Sequence, residues 1–358
     1  MKLSNCGCFE NLTLEFSDKI NLLIGDNATG KTTIIEAVNA ALFLYHSNFN
    51  PSKNIEYKCS GFERYNNSKA LPVFRSFFST DVEKSLSANK PMFTKREQER
   101  SFGYLECFRK YDHIDLWKLR LLSLKNNNRK QLEIDGVRKA ILNVFGIEGC
   151  NIISAIDIKD GYINITLSDG RNISMFYLSG GLKRLISIVL DISFRCMILN
   201  KEIYGIDAPS QTEGTVLIDD IDMHLYPKIQ PLIIKGLQRA FPKIQFIIST
   251  NSPLVMSSVP VNDDNKIIKL EYNRESGYTA KEIDVYGLDV STITQNILGV
   301  TARSQDVAKE LDQLFSLIDE DQYEAAAIKL GQLKSQFGDK LPELSKAQAM
   351  LDLRWILK

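Results

Sequence analysis

Ile20-Asn21-Leu22-Leu23-Ile24-Gly25-Asp26-Asn27-Ala28-Thr29-Gly30-Lys31-Thr32 runs from an apolar stretch through two glycines into Thr33-Ile34-Ile35-Glu36-Ala37-Val38. The order is strand, glycine loop and helix, that of a phosphate-binding P-loop. Gly25 and Gly30 let the backbone wrap an anion, and the N–H groups at the helix start aim at its oxygens. In this pattern Lys31 bridges the β- and γ-phosphates of a nucleoside triphosphate while the Thr32 hydroxyl ligates Mg²⁺. Asp26, Asn27, Ala28, Thr29, Gly30, Lys31, Thr32 and Thr33 are the expected nucleotide contacts, and ATP and Mg²⁺ the expected cofactors.

A second element supports the first. Thr215-Val216-Leu217-Ile218-Asp219-Asp220 is an apolar strand ending in two carboxylates, as a Walker B element requires. Asp219 is expected beside Thr32 at the metal, and Asp220 facing the γ-phosphate, where it orients the attacking water. A third element, Leu178-Ser179-Gly180-Gly181, precedes a helix, so the Ser179 hydroxyl and the following N–H groups form a further phosphate-binding turn.

With 44% hydrophobic and 25% charged residues, the 358-residue chain has the composition of a soluble globular protein of one large or two ordinary domains. Lys+Arg and Asp+Glu are equal at 44 each, so net charge announces neither nucleic acid nor membrane as a partner. The most apolar stretch, Leu185 to Leu199, is interrupted by Asp191 and Arg195, and the first residues lack a signal-like apolar run. A cytoplasmic protein without a membrane partner is expected. The cysteines at 6, 8, 59, 107, 150 and 196 have no paired spacing and are expected as reduced thiols, with Cys6 and Cys8 on one face of a first strand.

Strands are expected at Leu12 to Phe16 and Ile20 to Ile24, with the P-loop helix running to about His46. From Ser47 to about Arg138 the chain is polar and irregular in pattern, with basic residues Lys95, Arg96, Arg100, Lys125, Arg129 and Lys130 among others. Those charges suit sequence-independent phosphate contacts with DNA, and equally a solvated face. Short alternating runs at Ile152 to Ile158, Tyr162 to Leu167 and Asn172 to Phe176, divided by Asp160-Gly161 and Asp169-Gly170, predict an antiparallel meander. A long helix from about Gly181, a strand at Thr215 to Ile218, a helix at Pro227 to Phe241 and a strand at Ile244 to Ser249 follow; such alternation implies a parallel sheet with crossover helices. Beyond Pro260 come strands at Lys266 to Tyr272 and Tyr278 to Val285. Three amphipathic helices then present Leu311, Leu314, Phe315 and Ile318; Ala325, Ile328, Leu330 and Leu333; and Leu344, Ala347, Leu351 and Ile356. The expected organisation is a head over 1–46 and 150–300, a basic insertion over 47–149 and a helical module over 301–358.

Leu178-Ser179-Gly180-Gly181 resembles the signature of ABC-type ATPases. The resemblance implies an ABC-type α/β head, a mixed sheet with a parallel core and an antiparallel meander. It also implies that ATP is held between the P-loop of one copy and the signature of another, in a homodimer or higher oligomer. Asp219 to Pro227 is similar to the corresponding element of RecF, SMC and OLD-type ATPases, and Ser249-Thr250-Asn251-Ser252-Pro253 sits where they carry a switch histidine. The resemblance spans residues 1–46 and 150–260. A compact head with a small arm and a helical tail looks like the ATPases of anti-phage defence modules, such as the Septu and OLD-like retron ATPases. Such ATPases gate a separate effector, a nuclease or toxin.

Three residues depart from the family pattern, the mildest being Ala28, which restricts the backbone where Gly is commoner. Asp220 stands in place of the usual Glu, and a retreat of about 1 Å at the attacking water can cost on the order of a hundredfold in rate. Asn251 replaces the switch His, keeping a hydrogen-bond donor without a cationic form. Slow hydrolysis is expected. The glutamine that completes such sites is open between Gln98 and Gln131. A RecF-like repair ATPase and a non-hydrolysing nucleotide-dependent scaffold are the alternatives; a transporter subunit fits less well because of the basic insertion.

Overall fold

The computed structural model describes residues 1–47, 74–78, 131–159, 162–300 and 303–356. The chain divides into two compact units, Met1–Leu288 and Asp289–Lys358.

The first unit is organised around the P-loop strand. Strands β1 (Lys2–Cys6) and β2 (Phe9–Thr13) form an antiparallel hairpin that turns at Gly7, followed by β3 (Ile20–Gly25) and helix α1 (Lys31–Ser47). Next come β4 (Phe74–Phe78), α2 (Gln131–Phe145) and the meander β5 (Ile153–Lys159), β6 (Tyr162–Leu167) and β7 (Asn172–Ser174). Helix α3 (Gly180–Tyr204), β8 (Gly214–Ile218), α4 (Gln230–Ala240), β9 (Ile244–Ser249), β10 (Asn265–Asn273) and β11 (Gly277–Glu282) complete it.

Among the described residues the largest sheet has the order β11-β10-β3-β9-β8-β4. Its inner four strands are parallel, while β11 and β4 pair antiparallel at the two edges. The fold is therefore α/β, with a mixed sheet and a separate antiparallel meander, as the alternation of elements predicts. Every residue of β3 is buried, which is why it reads as a nearly unbroken apolar run rather than an alternating one. Its exception, Asn21, is fully satisfied: its Oδ1 accepts from the Ser17 amide at 2.7 Å and its Nδ2 donates to the Ser17 carbonyl at 2.9 Å. The parallel order brings the C-terminal ends of β3, β8 and β9, and the loops that follow them, to one edge. Ligands of open α/β sheets bind at that edge.

Several elements differ from expectation. The first strands are β1 and β2, earlier than Leu12 to Phe16; Cys6 closes β1 and is buried, whereas Cys8 lies in the turn rather than on the strand. Cys59 and Cys107 fall outside the described residues. The stretch read as irregular supplies β4 and most of α2. Helix α2 buries Ile134, Val137, Ile141, Val144 and Phe145, and its buried Glu133 pairs with Lys201 of α3. The polar half of α2, beginning Gln131 and containing Arg138 and Lys139, obscured that helical spacing. In the meander the Asp169-Gly170 turn has Gly170 at φ 88°, while Asp160-Gly161 lies outside the described residues. The basic residues from Lys90 to Lys130, and Gln98, lie outside them too. No helix among the described residues is long and apolar enough to cross a membrane.

In the second unit, α5 (Gln305–Asp319), α6 (Tyr323–Phe337) and α7 (Pro342–Ile356) share a core of Leu311, Leu314, Ile318, Ala326, Leu330, Leu333, Leu344, Ala347 and Leu351. The buried stripe of α6 steps back from Leu330 to Ala326, four residues away, so Ala325 and Ile328 face outward; Ile328 is 66% exposed. The side chain of Ile356 lies outside the described residues.

Candidate functional site

The P-loop is shaped by close approach. Gly25 has φ 143°, and a Cβ there would lie 2.4 Å from the Leu270 carbonyl oxygen of β10. Gly30 has φ 96°, and its Cβ would lie 2.3 Å from Cζ of Phe9, so the β1–β2 hairpin presses directly on the loop. Ala28 adopts φ 65°, a left-handed backbone that costs an L-residue about 1–2 kcal/mol. Asp26, Asn27 and Ala28 are exposed, while Thr29 is buried and its hydroxyl donates to the Asp26 carbonyl at 2.8 Å.

Lys31 is 7% exposed and folds back over the loop, donating from Nζ to the carbonyls of Gly25 at 2.6 Å and Asp26 at 2.9 Å. Burial lowers its pKa, and the carboxylates of Asp220, Asp219, Asp26 and Asp222 oppose that shift. The ammonium is thus held by two loop carbonyls, with four carboxylates near enough to favour its charged form against burial.

At the end of β8, Asp219 is buried and engaged on both oxygens. Oδ2 accepts from Thr32 Oγ1 at 2.7 Å, and Oδ1 accepts a short hydrogen bond from the Ser249 hydroxyl, whose own oxygen accepts from the Asp220 amide at 2.8 Å. Arg184 of α3 clamps the same turn, donating to the main-chain carbonyls of Asp220 at 2.7 Å and Asp219 at 2.6 Å. Burial depresses the Arg184 pKa, and the three neighbouring carboxylates Asp220, Asp219 and Asp222 raise it.

Asp220 occupies the left-handed region at φ 47°, which Asp and Asn tolerate better than other non-glycine residues. Desolvation raises the pKa of its carboxyl, and Asp219 and Asp222 add to the rise against Lys31 and Arg184. Raising the affinity of a carboxylate for protons suits it to accept one from water. Asp222 ties this turn to the loop after β9: its Oδ1 accepts from the Thr250 hydroxyl and, at 3.4 Å, from the Asn251 amide. Asn251 itself is exposed.

Leu178 is buried and Ser179 and Gly180 are exposed at the start of α3. Ser179 makes no capping hydrogen bond with its side chain, which leaves its hydroxyl unused by the helix it precedes. Gly181 is the buried contact: a Cβ there would meet the His224 carbonyl oxygen at 2.1 Å. Phe176, Tyr177 and Tyr226 are 57%, 85% and 70% exposed around these segments.

The expected residues therefore fall into one cluster, formed by Gly25 to Thr33, Asp219, Asp220 and the Ser249 to Asn251 loop, and a second turn, Leu178 to Gly181, joined to it through Arg184 and through Gly181 against His224. In sequence Ser249, Asp222 and Thr250 are only neighbours of the motif residues, and no motif includes Arg184. Its place in the first turns of the helix that Leu178-Ser179-Gly180-Gly181 opens, ahead of the apolar run Leu185 to Leu190, is the available signal for Arg184. Gln131 lies at the start of α2 and donates to Asp135 at 2.9 Å. The donor set fits Mg²⁺: one carboxylate and one hydroxyl are hard oxygen ligands, and that ion takes its remaining ligands from phosphate and water. The glycine cradle and the buried lysine fit a polyphosphate.

Residues 1–173 match an AAA domain, and residues 96–257 match an AAA domain described as a putative AbiEii toxin of a Type IV TA system. The chain carries an AAA-type ATPase domain. It is similar to the Retron Vc95 probable ATPase of Vibrio cholerae serotype O1 biovar El Tor, at 34% identity over 56% of this chain and 39% of that protein. It is also similar to the Septu protein PtuA of Bacillus mycoides strain KBAB4, at 24% identity over 83% of this chain and 43% of that protein. The alignments thus span less than half the length of these two relatives. Among solved structures, an SmcHead bound to the C-winged helix domain of ScpA aligns over 79% of this chain and 97% of that one, with 13% identity and a TM-score of 0.41.

Proposed function

We propose that this chain is a slowly hydrolysing, SMC-like ATPase that forms a homodimer around ATP and controls a separate effector, a nuclease or toxin, in anti-phage defence. The observation that carries the reading is the link between Thr32 and Asp219, with buried Lys31 at the same loop. Lys31 exchanges its loop carbonyls for β- and γ-phosphate oxygens, and the backbone of residues 26–33 wraps the phosphates. Thr32 and Asp219 would hold Mg²⁺, which when bound would neutralise phosphate charge. Asp220 orients the attacking water and accepts its proton, while Asn251 donates to the γ-phosphate. The Asp220 side chain is one methylene shorter than Glu, so turnover is slow and the ATP-bound state persists.

Ser179, with the N–H groups after it, binds the γ-phosphate held by the other protomer. The exposure of Ser179 and Gly180 beside Phe176, Tyr177 and Tyr226 supports a protein-covered surface there, since aromatics are enriched in interfaces. The similarity to a retron ATPase and to PtuA supports the defence setting and an effector on another chain. Nucleic acid is the proposed partner of the basic stretch from Lys90 to Lys130, through salt-sensitive phosphate contacts.

A non-hydrolysing scaffold is the second reading, favoured by Asp220 and Asn251 at the catalytic positions. Phosphate release by the purified protein decides, with Lys31→Ala as the blank. Release above that blank supports the ATPase; equal rates support the scaffold.

A further inference from the structure

Three aromatic rings lead away from the P-loop. Phe9 lies against Gly30 so closely that a Cβ at residue 30 would sit 2.3 Å from its Cζ. Tyr278 of β11 meets Phe9 edge to face, with ring centroids 5.4 Å apart at 73°. Tyr272 of β10 meets Tyr278 in turn, 4.7 Å away at 46°. Such arrangements are favourable beyond the area they bury and fix the rings in orientation.

Strand register places the last ring. Leu270 pairs with Gly25, the residue that opens the P-loop, so Tyr272 projects two residues beyond the start of that loop, at the ligand-binding edge of the sheet. Leu270 and Tyr272 share a face because side chains alternate, and Leu270 belongs to the core that contains Phe9, Ile34 and Ile35. Tyr272 thus stands on the α1 face of the sheet. Its cross-strand partner Tyr278 is partly buried against that core, whereas Tyr272 is 58% exposed. One ring is anchored against the loop, the next buttresses, and the outermost offers an open face.

We propose that Tyr272, braced by Tyr278 and Phe9, is the platform on which the base of the bound nucleotide stacks. The proposal rests on the P-loop reading and adds to it the group that recognises the base rather than the phosphates. Stacking accepts any base with a π-face, so Tyr272 gives affinity for nucleotides over bare polyphosphate while discriminating weakly between purines.

Calorimetric titration of the full chain with Mg-ATP and with inorganic tripolyphosphate tests it. Tyr272→Ala is expected to weaken ATP binding about 10-fold and to leave tripolyphosphate binding unchanged; Tyr272→Phe, which keeps the ring, should bind ATP as the parent does. Loss of both ligands alike in Tyr272→Ala would make the tyrosine a structural brace only and overturn the proposal, as would unchanged ATP affinity. If the parent protein binds neither ligand, the P-loop reading falls and the platform with it; if it binds both and only the Tyr272 result fails, the P-loop reading stands.

Discussion

Thr32 and Asp219 are joined by a 2.7 Å hydrogen bond from hydroxyl to carboxylate across 187 residues of sequence. The bond connects the first turn of α1 to the end of β8, and Ser249 holds the other carboxylate oxygen from β9. Asp219→Asn keeps the shape and removes the charge. Phosphate release in Mg²⁺ is expected to fall by about a hundredfold or more, as when a preorganised electrostatic group is lost. Circular dichroism should show an unchanged fold, and a rate equal to the parent's would contradict the assignment.

Gly180 and Gly181 are adjacent yet differ in what surrounds them. A Cβ at Gly181 meets the His224 backbone oxygen at 2.1 Å, whereas a Cβ at Gly180 meets nothing within 4 Å. Gly181→Ala should therefore destabilise by about 1–3 kcal/mol through overpacking, and Gly180→Ala should change stability by less than about 0.5 kcal/mol. Urea unfolding of the two variants side by side checks the difference.

Asp222 accepts from both the Thr250 hydroxyl and the Asn251 amide, so it positions the loop that carries Asn251. Asp222→Ala should cost about 1–3 kcal/mol by leaving those donors unpaired, and should slow phosphate release as Asn251 loses its support. Asp222→Asn retains the accepting oxygen and should recover most of both losses, a rescue visible in unfolding midpoint and rate.

Cys150 and Cys196 are buried, and desolvation pushes both thiols up to about 12. They should resist alkylation at pH 8 in the folded protein, because the thiolate is the nucleophile. Among the cysteines of the described residues, Cys8, of intermediate exposure, should react first when the modified peptides are mapped by mass spectrometry. The sign for stability follows: the unfolded thiols ionise near 9 and the folded ones near 12, so the protein loses stability as pH rises between those values.

Much of this site was legible in sequence because its parts are local. Gly25 to Thr32 and Thr215 to Asp220 each combine an apolar strand with the polar residues at its end, and strand and end are contiguous. The turn Leu178 to Gly181 was legible for the same reason. What escaped depends on partners distant in the chain. Arg184 on the carbonyls of Asp219 and Asp220 brings α3 to the end of β8, and Asp222 on Thr250 is a contact that β8 and β9 create by lying side by side. Tyr272 and Phe9 are equally remote in sequence, and their link through Tyr278 requires the β10–β11 register. Helix α2 was hidden differently, by a polar outer face that outweighed Ile134, Val137, Ile141 and Val144 in composition. In α6 Leu330 and Leu333 are buried as expected but Ile328 is not, because an exposed isoleucine looks the same in sequence as a buried one.

In the proposed dimer Lys31 of one protomer and Ser179 of its twin complete a single ATP site, and subunit complementation tests that pairing directly. Lys31→Ala and Ser179→Arg are each expected to be inactive alone. In an equimolar mixture, half of the dimers combine the two variants and regain one intact site, so phosphate release should return to roughly a quarter of the parent rate. Activity that stays absent in the mixture, or full activity of Ser179→Arg by itself, would contradict a site shared between two copies.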